Sequence, residues 1–363
     1  MRWCGAAMSL TLSLSLTACA LMRPTVEVSE MELMEELDRI FQAFDGENVP
    51  GACVGVFRDG EIALVRSYGL AQVEERIPCE PQTNFRLASV TKQFTAMAVL
   101  ICRERGLLSL DDPITRFFPD FPEIGEQITV RRLLNHTSGM VAYEDLIPED
   151  QTEQVHDRDV LALVETQHGT YFTPGSQYRY SNSGYALLAM IVEEVSGQRF
   201  AEFLRDNIFL PLGMENTVAL EEGISEVPHR AHGYRETDEG DFESRDQSVT
   251  SAVLGDGGIY TSVLDFAKWD EALCGETLVS RESIEEAFTS GVLTDGTETG
   301  YGFGWRFEER NGVRVIYHNG STCGFSTAMR HVPERHLGLV VLTNRNSGGA
   351  GGLADEILAL LLR

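Results

Sequence analysis

Strand-like segments occur at both ends of this 363-residue chain, whereas helical patterns fill the middle. Near the start, Asp59-Gly60 lies between two apolar runs, which is a hairpin signal. Three more apolar runs near the end are separated by turn residues such as Asn311-Gly312. A short strand pair is not stable alone, so we expect all five strands to join in one antiparallel sheet. The predicted strands cover residues 51–57, 61–68, 313–318, 325–332 and 337–343.

Apolar residues at helical spacing predict helices before, between and after these strands. A first helix from Ser29 and a last helix over 352–362 would cover one face of the sheet. Residues 76–299 would form a mainly helical part on the other face, and residues 29–75 and 300–363 would form the sheet part. Together they make one α+β domain over residues 29–363. The polar, aperiodic stretch 221–251 predicts a long surface loop. The other predicted helices cover 88–105, 129–135, 158–167, 184–196, 199–210, 262–274 and 280–289.

The charge balance limits the partners of this chain. It has 56 acidic and 29 basic residues, a net charge of −27 at pH 7. Nucleic-acid binding needs a basic surface, and anionic lipid headgroups attract basic segments. We therefore expect a small-molecule or short-peptide substrate and no nucleic acid. No metal cluster or phosphate-binding loop is visible, so no cofactor is expected, and His331 and His336 should be exposed beside a hairpin.

Residues 1–18 have the pattern of a signal peptide, because Arg2 precedes an apolar stretch too short to span a bilayer. Residues 19–28 read as a tether. Leu16-Thr17-Ala18-Cys19 resembles a bacterial lipobox, in which cleavage leaves a lipid-modified cysteine. We expect an exported protein that is anchored through Cys19 to a bacterial membrane and faces the periplasm or the cell exterior, with the lipid as its only membrane contact. An ordinary secretory signal or a misplaced start would give a similar pattern.

Five cysteines remain after this leader, and their spacing gives no disulfide pairing. Several lie in apolar runs, where buried free thiols are the simplest expectation. The five are Cys53, Cys79, Cys102, Cys274 and Cys323.

Lysine is rare, since only Lys92 and Lys268 occur among the 29 basic residues. Lys92 follows Ser89 by three residues at the start of a predicted apolar helix, which places hydroxyl and amine on one face. Arginine cannot replace lysine where a neutral amine must accept a proton. A Ser-x-x-Lys pair at a helix N-terminus suits a nucleophile with its base. The alternative is a serine near a helix start and a lysine that reaches solvent.

Two further motifs are weaker when taken alone. Tyr180-Ser181-Asn182 precedes an apolar helix, where Tyr180 would shuttle a proton and Asn182 would bind an amide; Asn182 or Ser183 would otherwise be a helix N-cap. His318-Asn319-Gly320-Ser321 ends a predicted strand, where Gly320 would let a ligand approach the backbone closely. The alternative is an ordinary strand end with a glycine turn.

Together, the three motifs are similar to those of the serine β-lactamase and penicillin-recognising family, in the branch with class C β-lactamases, D-Ala-D-Ala carboxypeptidases, D-aminopeptidases and esterases. The resemblance covers about residues 30–363 and includes segments 85–88, 133–139 and 257–260. It implies a β-lactamase/transpeptidase-like fold, with an antiparallel sheet and an all-helical subdomain.

The resemblance also implies a role for each motif residue. Ser89 would be the acylated nucleophile, and Lys92 and Tyr180 would share the acid and base work, with the first proton acceptor left open. The implied substrate-binding residues are Asn182, His318 and Gly320, and the implied oxyanion hole consists of the backbone N–H groups of Ser89 and Ser321.

Two departures from the family pattern bear on the substrate. Tyr180 stands where class A β-lactamases have the serine of Ser-Asp-Asn, which disfavours class A. His318 replaces a lysine, and a histidine of ordinary pKa is mostly neutral at pH 7, which weakens the case for efficient β-lactam hydrolysis. We expect an exported serine hydrolase that cleaves an ester or amide through a Ser89 acyl-enzyme, with D-amino-acid peptides and β-lactams open as substrates. The alternatives are a penicillin-binding or sensor-like protein with little turnover, and a structural lipoprotein with an inactive site.

Overall fold

A computed structural model describes residue 1 and residues 29–363, so the predicted signal peptide, the tether and Cys19 lie outside the described residues. Within the described part, no helix is both long and apolar enough to cross a membrane. The strands are β1 (Ala52–Arg58), β2 (Glu61–Tyr68), β3 (Leu70–Gln72), β4 (Ile77–Pro78), β5 (Phe85–Arg86), β6 (Val218–Ala219), β7 (Tyr234–Glu236), β8 (Phe242–Ser244), β9 (Ile259–Thr261), β10 (Arg306–Arg310), β11 (Val313–Thr322), β12 (Phe325–Val332) and β13 (Leu337–Thr343).

Six strands form the main sheet in the order β10-β11-β12-β13-β1-β2, and every neighbouring pair is antiparallel. The five predicted strands are all present and joined in this sheet. The predicted number of five is one too low, because β10 was not recognised. β10 is an edge strand with the charged sequence RFEER, so it lacks the apolar run by which the others were found.

The helices are α1 (Glu30–Ile40), α2 (Lys92–Glu104), α3 (Val130–Leu134), α4 (Asp157–Glu165), α5 (Asn182–Ser196), α6 (Phe200–Leu204), α7 (Leu210–Leu212), α8 (Leu254–Gly257), α9 (Val263–Cys274), α10 (Arg281–Ala287) and α11 (Ala350–Leu361). The terminal helices α1 and α11 cover one face of the sheet, where Leu37 and Ile357 share a core with Val54 and Val341. The other helices pack on the opposite face, where the larger core includes Cys53 of β1. This layering matches the prediction and follows from the alternation of side chains along β1.

Three local predictions need correction. Residues 88–105 do not form one helix, because Ala88–Thr91 is a 3-10 turn that leads into α2. The predicted loop 221–251 contains the hairpin β7–β8. His331 is buried, with 1% of its surface exposed, because it lies on the central strand β12 under α9, whereas His336 is exposed as expected. The five cysteines of the described residues are free.

Candidate active site

Ser89 lies in the 3-10 turn before α2, and the backbone just before it is strained. Ala88 has a φ of 51°, which is unusual for a residue with a Cβ. The preceding Leu87 is fixed from both sides: its N–H donates to the Ile259 carbonyl at 2.8 Å, and its carbonyl accepts the Thr327 hydroxyl at 2.7 Å. The strained turn is therefore held by two neighbouring strands, and the Ser89 side chain is left partly exposed.

Gly320 on β11 supports this turn by close packing. A Cβ at Gly320 would lie 2.3 Å from the Leu87 carbonyl oxygen and 2.4 Å from Thr327 Oγ1. The close approach predicted at this glycine is therefore made by the chain's own backbone in front of Ser89. Its expected contact with a substrate stays a prediction.

Lys92 is fully buried and points at Ser89. Its Nζ donates to Ser89 Oγ at 3.2 Å and to the Asp256 carbonyl at 2.8 Å. The ammonium also lies 5.0 Å from the ring centre of Tyr180 and 5.5 Å from that of Tyr185. Among the described residues no carboxylate oxygen lies within 4.0 Å of it, in contrast to Lys268, which pairs with Asp265 at 2.9 Å. The interpretation of Lys92 as a lysine that reaches solvent is excluded by its burial.

Two buried carboxylates hold the short helix α8 that provides the carbonyl partner of Lys92. Asp157 accepts the N–H groups of Leu254 and Gly255 at 2.8 and 3.0 Å, and burial raises the pKa of Asp157 to about 7. Burial also raises the pKa of Asp256 to about 6, although the positive charge of Lys92 opposes the shift. The Asp256 carboxylate accepts the Tyr143 hydroxyl at 3.1 Å. The two carboxyl groups of Asp157 and Asp256 thus hold α8 in place next to the Ser89–Lys92 pair, and both titrate within about one unit of neutral pH.

Tyr180 and Asn182 approach from the start of α5. Ser181, rather than Asn182 or Ser183, is the N-cap, and its hydroxyl accepts the Gly184 N–H at 3.2 Å. The Asn182 side chain is therefore free to donate to Glu144 Oε1 at 2.7 Å. Within the described residues, the Tyr180 hydroxyl and Asn182 Oδ1 are buried atoms with no hydrogen-bond partner. Buried polar atoms of this kind are rare unless a ligand satisfies them.

His136 packs against the ring of Tyr180, with ring centres 4.3 Å apart. Its Nδ1 accepts the Ser181 N–H at 3.2 Å, so the neutral ring carries its proton on Nε2. Burial, reinforced by the positive charge of Lys92, holds the pKa of His136 well below its usual value. His136 therefore fixes Tyr180 without adding charge.

His318 is buried behind Tyr180, with ring centres 6.1 Å apart. Its Nδ1–H donates to the Asn319 carbonyl at 2.7 Å, and its Nε2 accepts the Tyr301 hydroxyl at 3.0 Å. Burial, with the charge of Lys92, lowers the pKa of His318 to about 3, so the ring is neutral at pH 7. His318 does not line the cavity next to Ser89. Its substrate-binding role stays a prediction.

One cavity brings the exposed parts of these motifs together. It is lined by Ser89, Glu144, Asn182, Asp256, Ser321 and Thr322, among others. The two residues predicted to form the oxyanion hole, Ser89 and Ser321, therefore border the same space. Lys92 and Tyr180 are not in its lining; Lys92 contacts Ser89 Oγ, and its ammonium lies against the Tyr180 ring.

Comparison with known proteins decides the family. The family model described as Beta-lactamase matches residues 37–363. The chain belongs to the beta-lactamase family. It is 32% identical over 327 residues to penicillin-binding protein 4* of Bacillus subtilis, covering 86% of this chain and 72% of the relative. It is 30% identical over 318 residues to a D-aminopeptidase of Gluconobacter oxydans, covering 86% of this chain and 59% of that relative.

The solved structure of a D-amino acid amidase from Ochrobactrum anthropi, in complex with L-phenylalanine amide, has the same fold. The TM-score is 0.75 at 25% identity, over 91% of this chain and 97% of the amidase. This beta-lactamase family member is thus a serine hydrolase with the β-lactamase/transpeptidase-like fold. The chain spans only 59% of the length of the D-aminopeptidase it matches.

Several residues of the family member's site were not singled out from the sequence. His136 lies in the segment 133–139, and Asp256 directly precedes the segment 257–260. Both segments supported the family resemblance, but the sequence assigned no role to either residue. Glu144 and Arg306 gave no signal. Arg306 places its guanidinium 5.6 Å from the ring centre of Tyr180, and only the tertiary fold brings this edge-strand residue there.

Proposed function

We propose that this chain is an exported hydrolase that cleaves amides or esters through an acyl-enzyme on Ser89. The main support for this proposal is the environment of Lys92. Its buried amine contacts Ser89 Oγ at 3.2 Å and has no carboxylate partner within 4.0 Å in the described part of the chain. A carboxylate beside the amine would favour its charged form, which cannot accept a proton. Without such a partner, the neutral amine of Lys92 can take the proton of the serine nucleophile.

In the proposed reaction, Ser89 Oγ attacks the carbonyl carbon and gives its proton to Lys92 or to Tyr180. The backbone N–H groups of Ser89 and Ser321 would stabilise the oxyanion. The proton is then passed to the leaving amine or alcohol, and Tyr180 is suited to this step because its hydroxyl has no other partner among the described residues. Water attacks the acyl-enzyme in the second half of the reaction, the same groups transfer a proton of that water to Ser89 Oγ, and the bond between Oγ and the acyl group breaks.

The carboxylates at the cavity favour a substrate with a free ammonium group, because Arg86, the basic residue of the lining, is buried and donates to the Gly257 and Ser251 carbonyls. The exposed Glu144 carboxylate borders the cavity beside Asn182, and Asp256 lines its inner wall. A neutral His318 offers no fixed cation for a substrate carboxylate. The similarity to a D-aminopeptidase supports the same choice. D-amino-acid amides and short D-peptides are therefore preferred to β-lactams, with simple esters as surrogate substrates.

We also propose export and lipid attachment at Cys19, on the sequence pattern of residues 1–19 alone. The expected result is a mature chain that begins at Cys19 and carries acyl groups, measured by mass spectrometry of protein from bacterial membranes. A Cys19→Ser variant should lose the acyl mass and leave the membrane fraction. An unmodified N-terminus in membrane-purified protein would contradict this proposal.

The central test is intact-mass spectrometry of the full-length protein, quenched seconds after mixing with a p-nitrophenyl ester or benzylpenicillin. We expect an acyl adduct that is absent from Ser89→Ala and that disappears within seconds to minutes. A lasting adduct without turnover would instead favour the penicillin-binding or sensor-like alternative. No adduct with either reagent, and no hydrolysis of D-alanine p-nitroanilide, would refute the acyl-enzyme proposal.

The ammonium preference has its own control. Glu144→Gln keeps the shape of the side chain and removes its charge. We expect kcat/KM for D-alanine p-nitroanilide to fall about two- to fivefold, as for a partly exposed ion pair, with no change for a p-nitrophenyl ester that lacks the amine. Equal loss on both substrates would show that Glu144 acts through Asn182 and not on the ammonium.

A further inference from the structure

A second cluster of reactive side chains lies on the sheet under α9. His331 Nδ1 is 2.8 Å from Asp270 Oδ1, and His331 Nε2 is 3.8 Å from Cys274 Sγ. His331 and Asp270 are buried, with 1% and 4% of their surfaces exposed, whereas Cys274 is partly exposed. The three groups are ordered thiol, imidazole and carboxylate, so that the carboxylate orients the imidazole and the imidazole faces the thiol.

The fold builds this cluster from two elements. Asp270 and Cys274 are four residues apart on α9 and therefore lie on one helix face. His331 faces them from β12, and its cross-strand neighbour is Gly338 of β13. A Cβ at Gly338 would lie 2.2 Å from Asp270 Oδ2, so only glycine leaves room for the carboxylate to reach the imidazole. The register of β12 and β13 thus allows the pair to form.

The charge state of the cluster follows from the buried pair. Burial opposes a charged imidazole, but the Asp270 carboxylate and its hydrogen bond outweigh this effect and raise the pKa of His331 to about 10. Since Asp270 accepts from Nδ1, the Nε2–H of the imidazolium points at Cys274 Sγ and stabilises negative charge on the sulfur.

A cavity of about 360 Å³ opens beside Cys274 and His331. Phe288, Ile284 and Ile316 form its apolar wall, while its rim carries Arg281, Arg314 and His336 against one carboxylate, Glu285. None of its lining residues borders the Ser89 cavity. On a chain of net charge −27, this is a locally basic pocket of a size that suits a small aromatic anion.

We propose that Cys274, His331 and Asp270 form a second reactive centre, in which Cys274 exchanges with small anionic disulfides bound in this cavity. The Cys274 sulfur attacks one sulfur of the disulfide, a mixed disulfide forms on Cys274, and the old S–S bond breaks. His331 is already protonated, so the proton of the Cys274 thiol goes to solvent, and the released thiolate takes up a proton from solvent. The disulfide is the oxidant, and its departing half is reduced to a thiol.

The test measures labelling of the folded full-length protein by 5,5′-dithiobis(2-nitrobenzoate), a dianionic aromatic disulfide, with the modified cysteines identified by peptide mass spectrometry. Cys323 is the matched control, because it is also partly exposed but the hydrogen-bond partners of its sulfur among the described residues are the hydroxyls of Ser251 and Thr322. We expect Cys274 to react about tenfold faster than Cys323. His331→Gln should remove this advantage and leave Cys323 unchanged.

Arg314→Gln tests the cavity without touching the buried pair, since Arg314 is exposed. It should slow the dianionic reagent about two- to fivefold and leave the neutral 4,4′-dithiodipyridine unchanged. This measurement also decides the proposal if His331→Gln fails to fold. Cys274 labelling no faster than that of Cys323, or equal effects of Arg314→Gln on both reagents, would overturn the proposal. Ester hydrolysis at Ser89 is measured in parallel as a control for folding.

Discussion

Lys92→Arg is the most informative single change at the proposed active site. It keeps the positive charge and removes the ability to give up a proton, since a guanidinium does not deprotonate in proteins. The Nζ group sits in a closed site between Ser89 Oγ at 3.2 Å and the Asp256 carbonyl at 2.8 Å. A purely electrostatic role would survive this change in large part, whereas a proton-transfer role would not.

The expected loss can be estimated from both effects. Losing general base catalysis costs roughly 10²–10⁴-fold in kcat/KM, about 3 to 5 kcal/mol of transition-state stabilisation. Because Lys92 is fully buried, the larger guanidinium also overpacks the site, which destabilises the fold by about 1 to 3 kcal/mol. Activity should therefore be compared at a temperature where thermal unfolding shows the variant to be folded.

Two companion variants make the result decisive. Lys92→Met has a similar shape and no charge, and we expect it to be as inactive as Lys92→Arg. Lys268→Arg changes the only other lysine, which is partly exposed and pairs with Asp265, and should leave kcat/KM unchanged. The assay is p-nitrophenyl ester hydrolysis under conditions of excess substrate and of single turnover. A Lys92→Arg variant with more than about a tenth of wild-type activity would refute the proton-transfer role.

Three further predictions concern the groups around this pair. Gly320→Ala should destabilise the fold by about 1 to 3 kcal/mol in urea unfolding, because its Cβ would meet the Leu87 carbonyl at 2.3 Å; an unchanged midpoint would contradict this packing. Tyr180→Phe should lower kcat by roughly 10²-fold. It should not lower Tm, because the hydroxyl has no hydrogen-bond partner among the described residues. A loss of stability that matches the loss of activity would argue for a structural role. The pKa of Asp157 is about 7 in the folded protein and near 3.8 in the unfolded chain, so the folded state binds this proton more tightly. The free energy of unfolding should therefore fall by about 4 kcal/mol as the pH rises from 4 through 7. Asp157→Asn should remove that part of the slope and leave the smaller part due to Asp256, whose folded pKa is about 6; parallel slopes in both proteins would refute the assignment.

The sequence predicted most of the fold because its strands are apolar runs with clear turn signals. The five predicted strands and the two terminal helices all occur, and the helical part packs on the face expected. The errors have physical causes. β10 is a charged edge strand without an apolar run, and the hairpin β7–β8 is too short and polar to show a period. His331 looked exposed because a polar residue beside a turn usually is.

The sequence by itself determined which residues carry the proposed chemistry at Ser89. The three-residue spacing of Ser89 and Lys92 on a helix start requires no long-range contact, and the scarcity of lysine marks the position. The tertiary structure decided everything that depends on distant segments meeting. It fixed the neutral state of His318 through burial and the nearby charge of Lys92, brought Glu144 to the cavity, and placed Asp157 against α8. It alone joined Cys274 and His331, which lie 57 residues apart in the chain, because burial, dielectric surroundings and hydrogen-bond partners exist only after folding.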